Sequence, residues 1–247
     1  MSHSVERFLI PLYALAATLV VFGSLSIFSV DARIAEDFFL RAWYIQGPNT
    51  FLFFFALILM AKRLHVLSWE HRSLQKEVSF PPDLAENPKK YIADKLVAPD
   101  QWIAVERLTT ILSAAGSHSD LFGLARELSR RDAERLERSL SVVTSIRTVI
   151  PVIGFLGTVI GLSLGLLHFP DASSSLDVLQ GALNEFAKNL SIAFNTTLLA
   201  LVYMIILILF IAMVRQLETR LLTLLEQKTE SLIQTLTGNT AVGEGED

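Results

Sequence analysis

Four stretches of the chain contain no Asp, Glu, Lys or Arg, although these residues make up 19% of the sequence. The stretches are residues 8–30, 42–61, 148–170 and 189–214. A helix of about 20 apolar residues crosses the roughly 30 Å hydrocarbon core of a bilayer, and each stretch is long enough. The sequence therefore predicts an all-α polytopic membrane protein with four transmembrane helices.

The basic residues predict the orientation of these spans. Residues 62–147 hold 14 of the 21 Lys and Arg residues, whereas 31–41 and 171–188 together hold three. Cytoplasmic loops of membrane proteins carry the excess of Lys and Arg. We therefore expect residues 62–147 and both termini to lie in the cytoplasm.

Helical periodicity continues outside the spans. We expect two peripheral transmembrane helices in 1–61, a cytoplasmic helical domain in 62–147, two further transmembrane helices in 148–214, a cytoplasmic helix in 215–237 and a flexible acidic tail in 238–247. Apolar residues at helical spacing predict one helix over 101–115 and another from Leu121. No turn signal precedes Pro151, so we expect the second of these helices to continue into the third span.

Small and polar residues form stripes on the third and fourth spans. Glycines recur three and four residues apart in the third span, and Thr158 shares their face; the stripe comprises Gly154, Gly157, Gly161 and Gly165. In the fourth span Ala193, Thr196, Ala200 and Tyr203 fill one face, with Asn195 and Thr197 beside it. Such stripes let membrane helices pack closely, and a Thr hydroxyl in a helix often bonds to its own helix. The two stripes therefore fit either of two roles: close packing of the helices, or lining a route for ions.

Several classes of function are disfavoured by what the chain lacks. It has no Cys, so thiolate metal sites and Cys nucleophiles are excluded, and its five His residues do not have zinc-ligand spacing. A pI near 5.8 argues against a nucleic-acid partner. The sequence shows neither a nucleophile–base pair nor a phosphate-binding loop, and this disfavours an enzyme. The spans have no ionisable residue except His168 near an end, so a carboxylate for ion transport would have to come from another polypeptide.

Two segments resemble a known family. The stretch Ile150-Pro-Val-Ile-Gly-Phe-Leu-Gly-Thr-Val-Ile-Gly-Leu162 resembles the hallmark of the MotA/TolQ/ExbB proton-channel family, in which an apolar helix opens with a proline and carries a Gly-Thr-Val-x-Gly core. The segment Ile192-Ala-Phe-Asn-Thr-Thr-Leu-Leu-Ala200 is similar to the second pore helix of that family. The resemblance covers residues 130–225, and two spans before the cytoplasmic segment match the layout of flagellar stators.

The resemblance implies a homo-pentamer in the bacterial inner membrane around a dimer of a single-span, Asp-bearing MotB/ExbD/TolR-like protein. Protons or sodium ions would be translocated, without a bound cofactor. Residues 148–214 would line the pore: Thr158, Thr196, Thr197 and Asn195 would form the ion pathway, and Pro151, the four glycines, Ala193 and Ala200 would pack its helices.

The resemblance also implies a cytoplasmic surface for a rotor or effector. The candidate residues lie on the helix that leads into the third span: Arg126, Arg130, Arg131, Glu134, Arg135, Glu137 and Arg138. An ordinary solvated helix face has the same pattern. Alternatives for the whole chain are an ExbB/TolQ-like energiser of outer-membrane transport or integrity, a defence or gliding motor, and a four-span scaffold that moves no ions.

Overall fold

The computed structural model describes residues 11–20, 42–75, 103–114, 120–167, 169–170 and 175–243. Within these ranges the chain is helical, without strands. The helices are α1 (Pro11–Val20), α2 (Trp43–Gln75), α3 (Ile103–Ala114), α4 (Leu121–Ser139), α5 (Ser141–Leu167) and α6 (Leu176–Gly243). The predicted all-α class is confirmed for this part of the chain.

Three helical stretches are long and apolar enough to cross a membrane: Trp43–Arg72, Leu121–Leu167 and Leu176–Thr237. The chain is therefore a multi-pass membrane protein. Of the first predicted span, residues 8–30, only the ten-residue α1 falls within the described ranges. The count of four spans accordingly stays a prediction.

The chain divides into two compact units. The first, which we call the membrane unit, comprises residues 1–62 and 141–212, and the second, the charged unit, comprises 63–140 and 213–247. In the membrane unit, α2, α5 and α6 bury apolar residues at three- and four-residue spacing, as amphipathic packing requires. Its core consists of Phe53, Ala56, Met60, Val143, Ile146, Ile150, Ala200, Tyr203, Leu207 and Ile211.

The charged unit is held together mainly by leucine and isoleucine side chains from α3, α4 and the later parts of α2 and α6. One of its clusters joins Leu108, Ile111 and Leu112 of α3 to Leu128 of α4 and to Leu232, Ile233 and Leu236 of α6. Asp120 caps α4, because its side chain accepts a hydrogen bond from the backbone N–H of Gly123 at 2.9 Å. The periodic apolar residues seen in the sequence thus face a common core.

The helix ends differ from those predicted. Helix α6 begins at Leu176 rather than near residue 189, because an uncharged run marks the part of a helix that suits lipid and not where the helix starts. At its other end α6 continues past Gly238 to Gly243.

The helix predicted to continue into the third span does so over Leu121–Leu167, with one irregular turn at Leu140. Helix α4 ends at Ser139 and α5 begins at Ser141. Between them, the N–H of Leu140 bonds to the carbonyl of Glu137, three residues back, at 3.2 Å, and the Leu140 side chain is buried. Such an i→i−3 bond tightens and ends a last turn.

Candidate functional site

The glycine stripe of α5 lies directly against the small-residue stripe of α6. A Cβ atom placed on Gly161 would lie 2.8 Å from Cβ of Ala193, and one placed on Gly157 would lie 2.6 Å from Oγ1 of Thr196. A Cβ on Gly154 would collide with the Cβ of Ala200. All of these distances are shorter than ordinary van der Waals contact, so the two helices approach this closely only because α5 presents hydrogen atoms here.

Three threonine hydroxyls meet in this contact, and we call them the threonine cluster: Thr158, Thr196 and Thr197. Thr158 and Thr197 are hydrogen-bonded to each other through their hydroxyls. Thr196 donates either to the carbonyl of Gly154 across the contact, at 3.2 Å, or to that of Ala193 in its own helix, at 2.7 Å. The cluster therefore links α5 to α6 as well as bonding within each helix.

The carbonyl of Ala193 has more donors than it can satisfy. The hydroxyls of Thr158, Thr196 and Thr197 lie 3.2, 2.7 and 3.1 Å from it. A carbonyl oxygen has two lone pairs, so at least one of these three hydroxyl hydrogens points elsewhere at any moment. Each threonine oxygen also keeps acceptor capacity when it donates. The cluster can consequently rearrange its hydrogen bonds, and it can offer oxygen lone pairs to a proton or a cation.

The three threonine residues of the cluster differ in exposure. Thr196 is 1% exposed, whereas Thr158 and Thr197 are half-buried. Of the other residues predicted for the ion pathway and its packing, Ala193 and Ala200 are fully buried and Asn195 is half-buried beside the cluster. Pro151 lies inside α5, where it cannot donate a hydrogen bond to the carbonyl four residues earlier.

A second group of polar side chains in the membrane unit was missed by the sequence reasoning. Gln46, Asn49 and Thr50 of α2 are completely buried, and the hydroxyl of Thr50 lies 3.1 Å from that of Tyr203 on α6. Their three- and four-residue spacing in the sequence could have indicated a polar helix face. Because none of the three is charged, a count of charged residues treats the run 42–61 as uniformly apolar. We call these three residues together with Tyr203 the α2 polar group.

The predicted partner surface on α4 is solvent-exposed. Its seven residues are Arg126, Arg130, Arg131, Glu134, Arg135, Glu137 and Arg138. Arg138 pairs with Glu134 of the same helix at 2.9 Å, and Arg135 pairs with Glu106 of α3 at 2.6 Å. Exposed pairs of this kind add little stability.

A buried arginine lies beneath this surface. Arg107 of α3 is 2% exposed and donates to Asp132 of α4 at 3.4 Å and to Ser129 Oγ at 2.5 Å. Burial lowers the pKa of the Arg107 guanidinium, and the neighbouring Asp132 opposes that shift. Sequence periodicity did not single out Arg107, because its spacing places it among apolar residues of α3.

Comparison with known proteins supports the resemblance that the motifs predicted. A family model described as the MotA/TolQ/ExbB proton channel family matches residues 99–227. The matched region contains the glycine stripe, the threonine cluster and the charged surface of α4. No curated protein and no solved structure matches the chain.

Proposed function

The chain belongs to the MotA/TolQ/ExbB proton channel family, and from this premise we propose that it is the ring subunit of an ion-driven motor. Five copies would surround the single transmembrane helices of two partner chains in a bacterial inner membrane. Flow of protons or sodium ions through the assembly would turn the ring around the partner and produce mechanical work.

The observation that carries this proposal is that the threonine cluster lies between α5 and α6 in a part of both helices that has no Asp or Glu. The uncharged runs 148–170 and 189–214 hold no Asp or Glu, yet they bring together three hydroxyls whose hydrogen bonds can rearrange. Ion transfer at membrane depth normally needs an ionisable group. A partner helix with an Asp would supply it, and the hydroxyls would line the route of the ion.

We assign different roles to the three threonines. Thr158 and Thr197 are half-buried, and we propose that their oxygens face an ion held by the partner. The pair could pass a proton from one oxygen to the other, or both oxygens could coordinate a sodium ion as neutral ligands. Thr196 is buried between the helices with its hydroxyl within hydrogen-bonding distance of the Gly154 carbonyl, so we assign it to holding α5 against α6.

The exposed charges of α4 would give the ring its cytoplasmic output. We propose that the surface of seven Arg and Glu residues meets a rotor or effector, with both termini on the same side of the membrane. Arg107 of α3 pairs with Asp132 of α4 beneath that surface. Because this pair joins the two helices, it would keep α4 fixed on α3.

A Thr158→Val variant tests the proposal, because valine has nearly the same shape but no hydroxyl. We expect the variant to insert and assemble normally and to lose ion-driven flux. The assay is ion flux into liposomes that contain the complex purified with a co-expressed single-span, Asp-bearing partner.

Thr148→Val provides the matched control. Thr148 lies on the same helix, and its exposed hydroxyl donates to the carbonyl of Thr144 four residues back at 3.2 Å, as that of Thr158 does to Gly154 at 3.4 Å. We expect this control to conduct like the unmodified chain. Normal flux through Thr158→Val would refute the assignment of Thr158 to the ion route, and no flux through the unmodified complex would favour a scaffold that moves no ions.

A further inference from the structure

The side-chain amide of Asn49 is a buried polar group of the membrane unit. Asn49 is completely buried, and neither its Oδ1 nor its Nδ2 has a hydrogen-bond partner among the described residues. Thr50, the next residue on α2, by contrast bonds to the Tyr203 hydroxyl. Buried side-chain amides in proteins are nearly always satisfied by protein atoms or by ordered water. The Asn49 amide therefore indicates a ligand.

The chemistry of that amide identifies which ligand fits. Oδ1 is an acceptor and Nδ2 is a donor. A bound cation would satisfy only the oxygen, and a bound anion would satisfy only the nitrogen. Water donates and accepts, so it can satisfy both atoms of the same amide.

The surroundings of Asn49 also suit water. Gln46 is three residues before it on the same helix, and the Thr50–Tyr203 hydroxyl pair follows it. These groups are all neutral and all hydrogen-bonding, and a buried water typically makes two to four such bonds. We propose that Asn49, Gln46, Thr50 and Tyr203 form a binding site for ordered water inside the membrane unit.

The site lies close to the threonine cluster along α2. Ile45, the residue before Gln46, touches the α5–α6 contact at Gly157. Its Cγ2 is 3.0 Å from the position that a Cβ on Gly157 would take. Asn49 follows about 6 Å further along the axis, at roughly 1.5 Å per residue. Asn49 thus lies about one helical turn along α2 from the residue that touches Gly157. The water site is inferred from α2 and α6 alone, and it does not depend on the proposed ion flow.

X-ray radiolytic footprinting tests the proposal on the full chain in lipid nanodiscs. X-ray pulses convert bound water into hydroxyl radicals, which oxidise the side chains beside it, and mass spectrometry reads the oxidised residues. We expect oxidation of Tyr203 in the unmodified chain although its ring is buried. We expect Asn49→Leu to lose that oxidation, whereas Asn49→Ser keeps it because a hydroxyl still binds water. Tyr44, which is 42% exposed, should be oxidised equally in all three proteins.

Two results would overturn the proposal. One is equal oxidation of Tyr203 in the unmodified chain and in Asn49→Leu, and the other is no oxidation in the unmodified chain. A cryo-EM map of the unmodified protein tests the site without a variant. Solvent density bonded to both Oδ1 and Nδ2 would support it, and a protein side chain in that place would contradict it.

Discussion

Gly161 offers a quantitative test of how closely α5 and α6 must approach. In Gly161→Ala the new methyl carbon would lie 2.8 Å from Cβ of Ala193. Carbon atoms in contact prefer about 3.5–4.0 Å, so the helices would have to separate by roughly 1 Å at this level. The neighbouring atom belongs to a methyl group attached directly to the backbone, and it cannot rotate away.

The expected loss of stability follows from that separation. Overpacking a closely packed contact costs about 1–3 kcal/mol. The bond from Thr158 to the Ala193 carbonyl is 3.2 Å long and would stretch beyond hydrogen-bonding distance, at about 0.6 kcal/mol for such a bond between membrane helices. Replacing a helical glycine by alanine returns about 1 kcal/mol. We therefore expect a net loss of about 1–2 kcal/mol.

Thermal unfolding in detergent measures this change, with Gly181→Ala as the matched control. Gly181 lies in α6, and a Cβ placed there meets nothing within 4 Å, so this variant gains helix propensity without overpacking. At about 2–4 °C per kcal/mol for a chain of this size, Tm should fall by about 2–8 °C in Gly161→Ala and rise by a few degrees in Gly181→Ala. If Gly161→Ala proves as stable as Gly181→Ala, the close approach of α5 and α6 is refuted.

Further predictions concern assembly and the charged unit. Native mass spectrometry of the complex in detergent should give five copies of this chain, and a dimer or tetramer would contradict the proposed ring. Asp132→Ala should destabilise the charged unit by about 3 kcal/mol, because it leaves the buried guanidinium of Arg107 without its carboxylate. The double variant Arg107→Met with Asp132→Leu should recover most of the lost free energy of unfolding, as measured by chemical denaturation. Equal losses in the single and double variants would show that the loss does not come from leaving the Arg107 charge unpaired.

The membrane character and the family of this chain could be predicted from its sequence, because both rest on local properties. A run without charges suits lipid wherever it lies in the fold, and three of the predicted runs coincide with helices able to cross a membrane. The motif from Ile150 to Leu162 is likewise contiguous, and the family match includes it.

The ends of the helices could be predicted less well from the sequence, since hydropathy changes within a continuous helix. The charged residues before position 189 suit water but do not prevent helix formation, so α6 starts at Leu176. The interruption at Leu140 depends on one i→i−3 hydrogen bond that no sequence signal marks.

Only the tertiary structure decided which polar groups meet, because their partners are distant in the chain. Thr158 and Thr197 are 39 positions apart, and Thr50 and Tyr203 are 153 apart, yet each pair is hydrogen-bonded. Sequence spacing placed Thr158 on the glycine face but could not show that Thr196 is buried while Thr197 is half-buried. Nor could it show that Asn49 is buried without a described partner, since burial depends on what the other helices place around a residue.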